Sequence, residues 1–300
     1  MPLNSIPVTT NVATLNEKIS ATKDKLFVNV GFFGGVVPGN TAEIRKMHDA
    51  GVLGFKSFMI FSGLAEFEAV SYNDMVEGVN AMRDLQTSYL IHAEVEDDSI
   101  KQLIHEAKTQ KDGKKYSTYL QSRPTRMEID AIKQVITACR NVSGVVCHIV
   151  HLATGDEAVE LIANAQKEFK LTAETCTHYL SFAAEEIQDG ATEFKCAPPI
   201  REAHHREQLW AALRSGVLSM VTSDHSPCTN KPESFMEACG GIASLQFSLS
   251  ALWTHMSVRG FTLQDLVKWR SEEPAKLCSL EKRKGQIREG MDADLIVFDT

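Results

Sequence analysis

Lys56, His92, His151 and Asp224 are the residues through which this sequence could do chemistry. Each stands at or near the end of a short apolar run, and each run is followed by a helix-like pattern. Two neutral imidazoles from separate strands can hold a divalent cation. An aspartate can bind the same ion and also take a proton from the water attached to it. An unmodified lysine cannot join them as a ligand, because an ammonium offers only donors. Carbamylated by CO₂, it presents a pair of oxygens able to bridge two metals. Taken singly, a strand histidine reads as hydrogen-bonded core, Lys56 as an edge lysine reaching for solvent, and Asp224 as the cap of a turn. In the order Lys, His, His, Asp on successive strands they read together as a hydrolytic metal site.

Such a site needs elements that bring distant positions to one place. The apolar runs 27–30, 54–60, 89–92, 145–152, 172–176 and 219–223 are predicted to be buried parallel strands. Ile129, Ile132, Val135, Ile136 and Cys139 predict one helix face, and Val159, Ile162 and Phe169 another. Ser71 with Asp74, and Thr154 with Glu157, have the spacing of capping boxes. Alternating strands and helices imply a parallel sheet. Chemistry-bearing residues recur after nearly every strand. That favours a barrel, whose strand ends share one face, over an open sheet, which gathers its site at one switch point. From about Gly285 the pattern changes: 285–290 is turn-rich, and 293–298 alternates like a strand with one exposed face. The expected division is therefore a barrel over 1–284 and the start of a small β appendage over 285–300.

Composition excludes several alternatives. With 300 residues, 43% of them hydrophobic, the chain can bury one large core. A net charge of −8 without a basic cluster argues against nucleic acid or a membrane surface as partner. No apolar stretch is long enough to span a bilayer, and no lipidation motif is present. Seven dispersed cysteines without a CxxC pair read as reduced thiols rather than a disulfide framework. No secretory leader is visible, and the expected location is intracellular, in the cytoplasm or an organellar matrix.

Six motifs in order carry a resemblance: GFKSFM at 54–59, LIHAE at 90–94, HIVHL at 148–152, ETCTHYL at 174–180, KCAPPIR at 195–201 and SDHSP at 223–227. They resemble the cyclic amidohydrolases, the family of allantoinase, dihydroorotase and dihydropyrimidinase, and within it the allantoinase branch. The resemblance runs the length of the chain and implies an α/β fold, the (β/α)₈ TIM-like barrel of the metal-dependent hydrolases. It implies zinc, two ions per complete site, bridged by carbamylated Lys56. His92 and His151 would hold the second ion, and Asp224 would act as base toward a hydroxide nucleophile. His151 is the ligand rather than His148, since it directly precedes the loop at the strand's end. His148, His178 and His225 would support these groups from behind. Backbone at Ala197 and Gly240, with Asn4, would hold the cyclic amide.

The implied partner is a small cyclic ureide, with no nucleic acid or membrane involved, and the full-length parent is a homo-oligomer. The implied reaction is hydrolysis of allantoin to allantoate, a step of purine catabolism. Dihydropyrimidinase-, hydantoinase- or dihydroorotase-like hydrolysis is the alternative within the family, and a non-catalytic binding or assembly role the alternative outside it. Dihydroorotases place a histidine for the substrate carboxylate where this sequence has Cys228, which favours an uncharged hydantoin ring.

The sequence departs from the family at one point. These enzymes carry a His-X-His pair on the first strand, and none of the ten histidines here forms one. Residues 1–7 resemble instead the end of the second strand and its loop. The expectation is a barrel incomplete at its N-terminus, at most one zinc ion, and negligible activity of this chain alone. Of the remaining histidines, His48, His105 and His255 fall in helical patterns, while His204 and His205 are expected to open a helix and face solvent. Cys176 and Cys196 lie inside site motifs without a base to activate them.

Overall fold

The computed structural model describes residues 1–300 except Asn4, Gln110, Asn230 and Thr300. Six parallel strands form a sheet whose order follows the sequence: β1 (Gly34–Gly35), β2 (Phe55–Phe58), β3 (Thr87–His92), β4 (Val145–Ile149), β5 (Leu171–Cys176) and β6 (Met220–Thr222). Helices α1 (Val12–Thr22) and α2 (Thr41–Asp49) flank β1, and α3 (Tyr72–Ala81) joins β2 to β3. Three helices, α4 (Asp98–Thr109), α5 (Tyr116–Ser122) and α6 (Arg126–Cys139), lead to β4, and α7 (Asp156–Ala165) leads to β5. After β5 come α8 (Thr177–Ser181) and α9 (Ala203–Ser215), and after β6 come α10 (Ser248–Ser257), α11 (Leu263–Val267) and α12 (Glu273–Leu277).

Alternation along each strand divides the sheet into a helix-covered face and a lumen. Phe55, Tyr89, Ile91, Cys147, Ile149 and Ala173 pack outward in the main core. Met75 and Val79 from α3 with Met82 just past its end, Ala131, Ile132 and Val135 from α6, and Ile162 from α7 cover them. The Ser57 hydroxyl meets the Tyr89 hydroxyl at 2.7 Å, which satisfies both polar groups within this layer. Lys56, His92 and His148 alternate with these residues and face the other way. Gly54 must be glycine: its φ is +158°, and a Cβ there would lie 2.4 Å from the Ser88 hydroxyl. Chain approach at this point sets the register Phe55↔Tyr89 and so the height of Lys56 in the lumen.

Five of the six expected strands form, within two or three residues of their expected ends. The exception is 27–30, where Phe27 and Val28 are exposed and unpaired, and the first strand is the short Gly34–Gly35 pair instead. Apolar content suggested a strand there, but no neighbouring face covers it. The Ser71–Asp74 capping box forms as expected. Thr154 does not cap α7: its hydroxyl turns inward to Glu128, and Gly155 is the N-cap residue. Phe169 lies beyond the end of α7, partly buried against the core. Residues 293–298 form no strand among the described residues, although Phe298 packs edge-on against Trp253.

Candidate active site

Four strands bring the chemistry together. Lys56 is the second residue of β2, His92 the last of β3, His151 follows β4 by two residues and Asp224 follows β6 by two. Phe58 pairs in register with His92, and their rings stack at 4.7 Å and 23°. The His92 and His151 rings meet edge to face at 4.6 Å. The Lys56 ammonium lies 5.0 Å from the Phe58 ring centroid, within cation–π range. Asp224, half-buried at the mouth of the lumen, is close enough to Lys56, Glu174 and His92 for their charges to act on it. His151 and Asp224 both adopt left-handed backbone, with φ of 43° and 40°. Non-glycine residues held there store strain and cluster at functional sites.

Electrostatics in this pocket favour uncharged bases. Burial lowers the Lys56 pKa, against the pull of Asp224 and Glu174, which makes the free amine more accessible. His92 is also lowered by burial, with Glu94 opposing. His151 falls well below the usual histidine range through burial, with His92 and Lys56 repelling its proton. Burial raises Asp224, and Lys56 partly offsets the rise. The buried His151 Nδ1 has no protein partner among the described residues. A neutral imidazole with a free buried nitrogen, beside a second imidazole, an aspartate and a lysine amine, is a donor set that fits a divalent cation.

A buried network of alternating charge supports both histidines. His92 Nε2 bonds the Glu94 carboxylate at 2.6 Å, and Arg123 grips the same carboxylate at 2.5 and 3.2 Å. Burial works to raise the Glu94 pKa, but Arg123 and His92 prevail and bring it down to about 2. Arg201 donates to the Arg123 carbonyl at 2.5 Å and to Glu128 at 2.9 Å. Glu128 then accepts the Ala153 and Thr154 amides at 2.9 and 3.3 Å, fixing the loop that begins at His151. Sequence reasoning did not single out Glu94, Arg123, Glu128, Glu174 or Arg201. Glu94, Glu174 and Arg201 stand inside the quoted motifs; Arg123 and Glu128 left no signal beyond charge near a helix start.

The other candidates separate. His148 is fully buried, with Nδ1 2.7 Å from the Thr172 hydroxyl and Nε2 3.2 Å from Glu174. His178 is buried with neither ring nitrogen bonded among the described residues, and burial brings its pKa down to about 3. His225 is exposed and accepts the Leu245 amide at 3.1 Å, so its place is in folding the loop after Asp224. Ala197 and Gly240 are neighbours: a Cβ on Gly240 would lie 3.9 Å from the Ala197 nitrogen. Asn4 lies outside the described residues. His204 faces solvent as expected, but His205 does not; it is buried, and its Nδ1 accepts the Gly155 amide at 3.1 Å. The first turn of α9 packs on the start of α7 and encloses it.

A parallel sheet with such groups at its strand ends defines the (β/α) barrel of the metal-dependent hydrolase type. The amidohydrolase family profile matches residues 4–300, and the chain belongs to the amidohydrolase family. The Arabidopsis thaliana allantoinase is 42% identical over 316 residues, spanning 100% of this chain and 61% of its own length. The Saccharomyces cerevisiae allantoinase is 41% identical over 310 residues, covering 100% of this chain and 65% of its own. Among solved structures, the L-hydantoinase (dihydropyrimidinase) from Arthrobacter aurescens superposes with a TM-score of 0.89 at 32% identity, over 98% of this chain and 65% of that one. The chain thus spans less than two thirds of the length of these relatives. No described helix is long and apolar enough to cross a membrane.

Proposed function

We propose that this site belongs to a hydrolase of cyclic amides whose substrate is allantoin and whose product is allantoate. The observation that carries it is the meeting of Lys56, inside β2, with His92, His151 and Asp224 at or just past the ends of β3, β4 and β6. Identity to allantoinases supports the choice of substrate. His92, His151, Asp224 and a carbamylated Lys56 would hold the metal, with zinc the natural choice for imidazole and carboxylate donors. When bound, such an ion polarises an amide carbonyl and lowers the pKa of water.

The chain's own residues do the rest. Asp224 takes the proton of the attacking water and passes it to the ring nitrogen that leaves. The backbone at Ala197 and Gly240 holds the ring, Glu94 fixes the orientation of His92, and Glu128 fixes the loop after His151. The Phe58 ring excludes water from one side of His92. Four donors suffice for one tetrahedral cation, so this chain is expected to hold at most one zinc in the lumen and to show negligible turnover alone. Residues 1–284 are the catalytic unit in this reading and 285–300 a segment outside it, although 293–298 form no strand among the described residues. The working protein is a homo-oligomer of the cytoplasm or an organellar matrix.

Zinc analysis and ureide assays test this, on the chain alone and on the chain supplied with a first-strand segment bearing His-X-His. Allantoin should be preferred to hydantoin and dihydrouracil, and Asp224→Asn should abolish turnover. Preference for dihydrouracil or dihydroorotate would move the substrate elsewhere in the family. Absence of turnover in the supplemented protein would favour a binding role.

A further inference from the structure

A second group of metal-capable side chains lies outside the lumen, where the start of α9 packs on the start of α7. Asp156 opens α7, and His204 and His205 lie in the first turn of α9. Asp156 Oδ2 is 3.8 Å from His204 Nε2 and 3.9 Å from His205 Nδ1, and the two rings lie 4.0 Å apart. All three ligand atoms fall within 4.8 Å of one another. These spacings are too long for hydrogen bonds. Donors about 2.1 Å from one tetrahedral cation stand roughly 3.4 Å apart, so the two aspartate spacings need to close by about half an ångström and the spacing between the imidazole nitrogens by up to about 1.4 Å.

Neighbours hold Asp156 and His205 in place, and the His205 lone pair is at present taken by a backbone amide. Gln208 takes the other side of Asp156: its amide donates to Oδ1, and its Oε1 accepts the Asp156 amide at 3.1 Å. His205 Nδ1 accepts the Gly155 amide, so that nitrogen carries a lone pair and no proton. Glu202 lies 3.9 Å from His205 Nε2, on the side where the proton then sits. Burial lowers the His205 pKa to about 4, which keeps the ring neutral near pH 7. The His204 and Asp156 side chains are 58% and 52% exposed, so an ion can enter and complete its shell with water. Two helix N-termini meet here and disfavour a cation. Asp156 and Glu202 supply the opposing charge, and affinity should be moderate rather than tight.

We propose that Asp156, His204 and His205 bind one divalent transition cation of the zinc class, which clips α9 to α7. Imidazole and carboxylate donors suit zinc, nickel and cobalt. His205 Nδ1 would exchange the Gly155 amide for the ion. Since Asp156 follows the loop that begins at His151, an ion here ties the end of that loop to α9 through Asp156 in place of the Gly155 amide bond.

Zinc titration of the full chain by calorimetry tests the site. His204→Ala removes only an exposed ring, so it should bind one zinc equivalent fewer than the parent and show a smaller zinc-dependent rise in melting temperature. Asp156→Asn should lose the same equivalent. Any ion held in the lumen is common to all these proteins and cancels in the comparison. Equal stoichiometry and affinity in the parent, His204→Ala and Asp156→Asn would overturn the proposal.

Discussion

Arg201 and Glu128 form an ion pair at 2.9 Å with both side chains 2% exposed, and through it the supports of His92 and His151 become one structure. Glu128 holds the amides after His151, and Arg201 passes the connection to Arg123, which holds the carboxylate bonded to His92. A buried pair of this kind is costly to assemble but more costly to break, because the survivor is left charged and unpaired.

Glu128→Gln should therefore destabilise the protein by about 3–5 kcal/mol. Urea denaturation should show a lowered midpoint with little change in slope. Adding Arg201→Met to Glu128→Met should cost less than the sum of the two single changes, since the double variant strands no charge. If each single change costs under about 1 kcal/mol and the two add, the pair is not the brace described.

How much of this was legible in the sequence follows from what kind of interaction each feature uses. Strands β2 to β6 announce themselves because both faces are buried, giving short unbroken apolar runs. The positions of Lys56, His92, His151 and Asp224 follow from those runs, because polar residues at apolar strand ends stand out. The Glu94–Arg123–Arg201–Glu128 network was not legible: its members are charged residues like many others in the chain, and only the fold shows which of them are buried together. Thr154 misled for a related reason. Its spacing to Glu157 is local, whereas the bond it makes is to Glu128, on a helix that precedes it by a strand. Residues 27–30 show the limit of composition, since an apolar run without a covering face forms no strand.

His178 should make stability depend on acid pH. Burial depresses its folded-state pKa to about 3, whereas the unfolded chain titrates near an ordinary 6.5. Between these values the unfolded state binds the proton and the native state does not. The contribution is complete above about pH 6.5 and is lost as pH falls toward 3. The slope from this one residue is on the order of 1 kcal/mol per pH unit. Replacing it by Gln should flatten the stability profile between about pH 4 and 6 relative to the parent. Parallel profiles would show that His178 is protonated in the native state, or that it escapes burial.

Gly241 should tolerate no side chain. Its φ is +142°, and a Cβ would lie 2.3 Å from the Ser226 carbonyl oxygen, where backbone meets backbone and neither yields. Its amide also bonds the Lys195 carbonyl at 2.8 Å. Gly241→Ala is expected to cost on the order of 2 kcal/mol, read as a drop in melting temperature. A neutral effect would mean that the loop joining Ser226 to Ile242 adjusts freely.

Lys231 and Lys195 hold the same loop from the other side, and their removal should loosen Gly240 without unfolding the barrel. The Lys231 ammonium donates to the Gly241 carbonyl at 2.6 Å and the Thr192 carbonyl at 3.1 Å, while Lys195 donates to the Ala238 carbonyl at 2.5 Å. These contacts bracket Gly240 and keep it beside Ala197. A hydrogen bond from a charged donor contributes about 1.5–3 kcal/mol. Lys231→Met should therefore speed hydrogen exchange in the peptide covering 238–242 by roughly tenfold or more, leaving exchange in β3 and β4 unchanged. Lys231→Arg, which keeps charge and reach, should restore most of the protection. Unchanged exchange in the Met variant would show that the bridge between His225 and Ile242, with the Ser226 amide on the Ile242 carbonyl, holds Gly240 in place unaided.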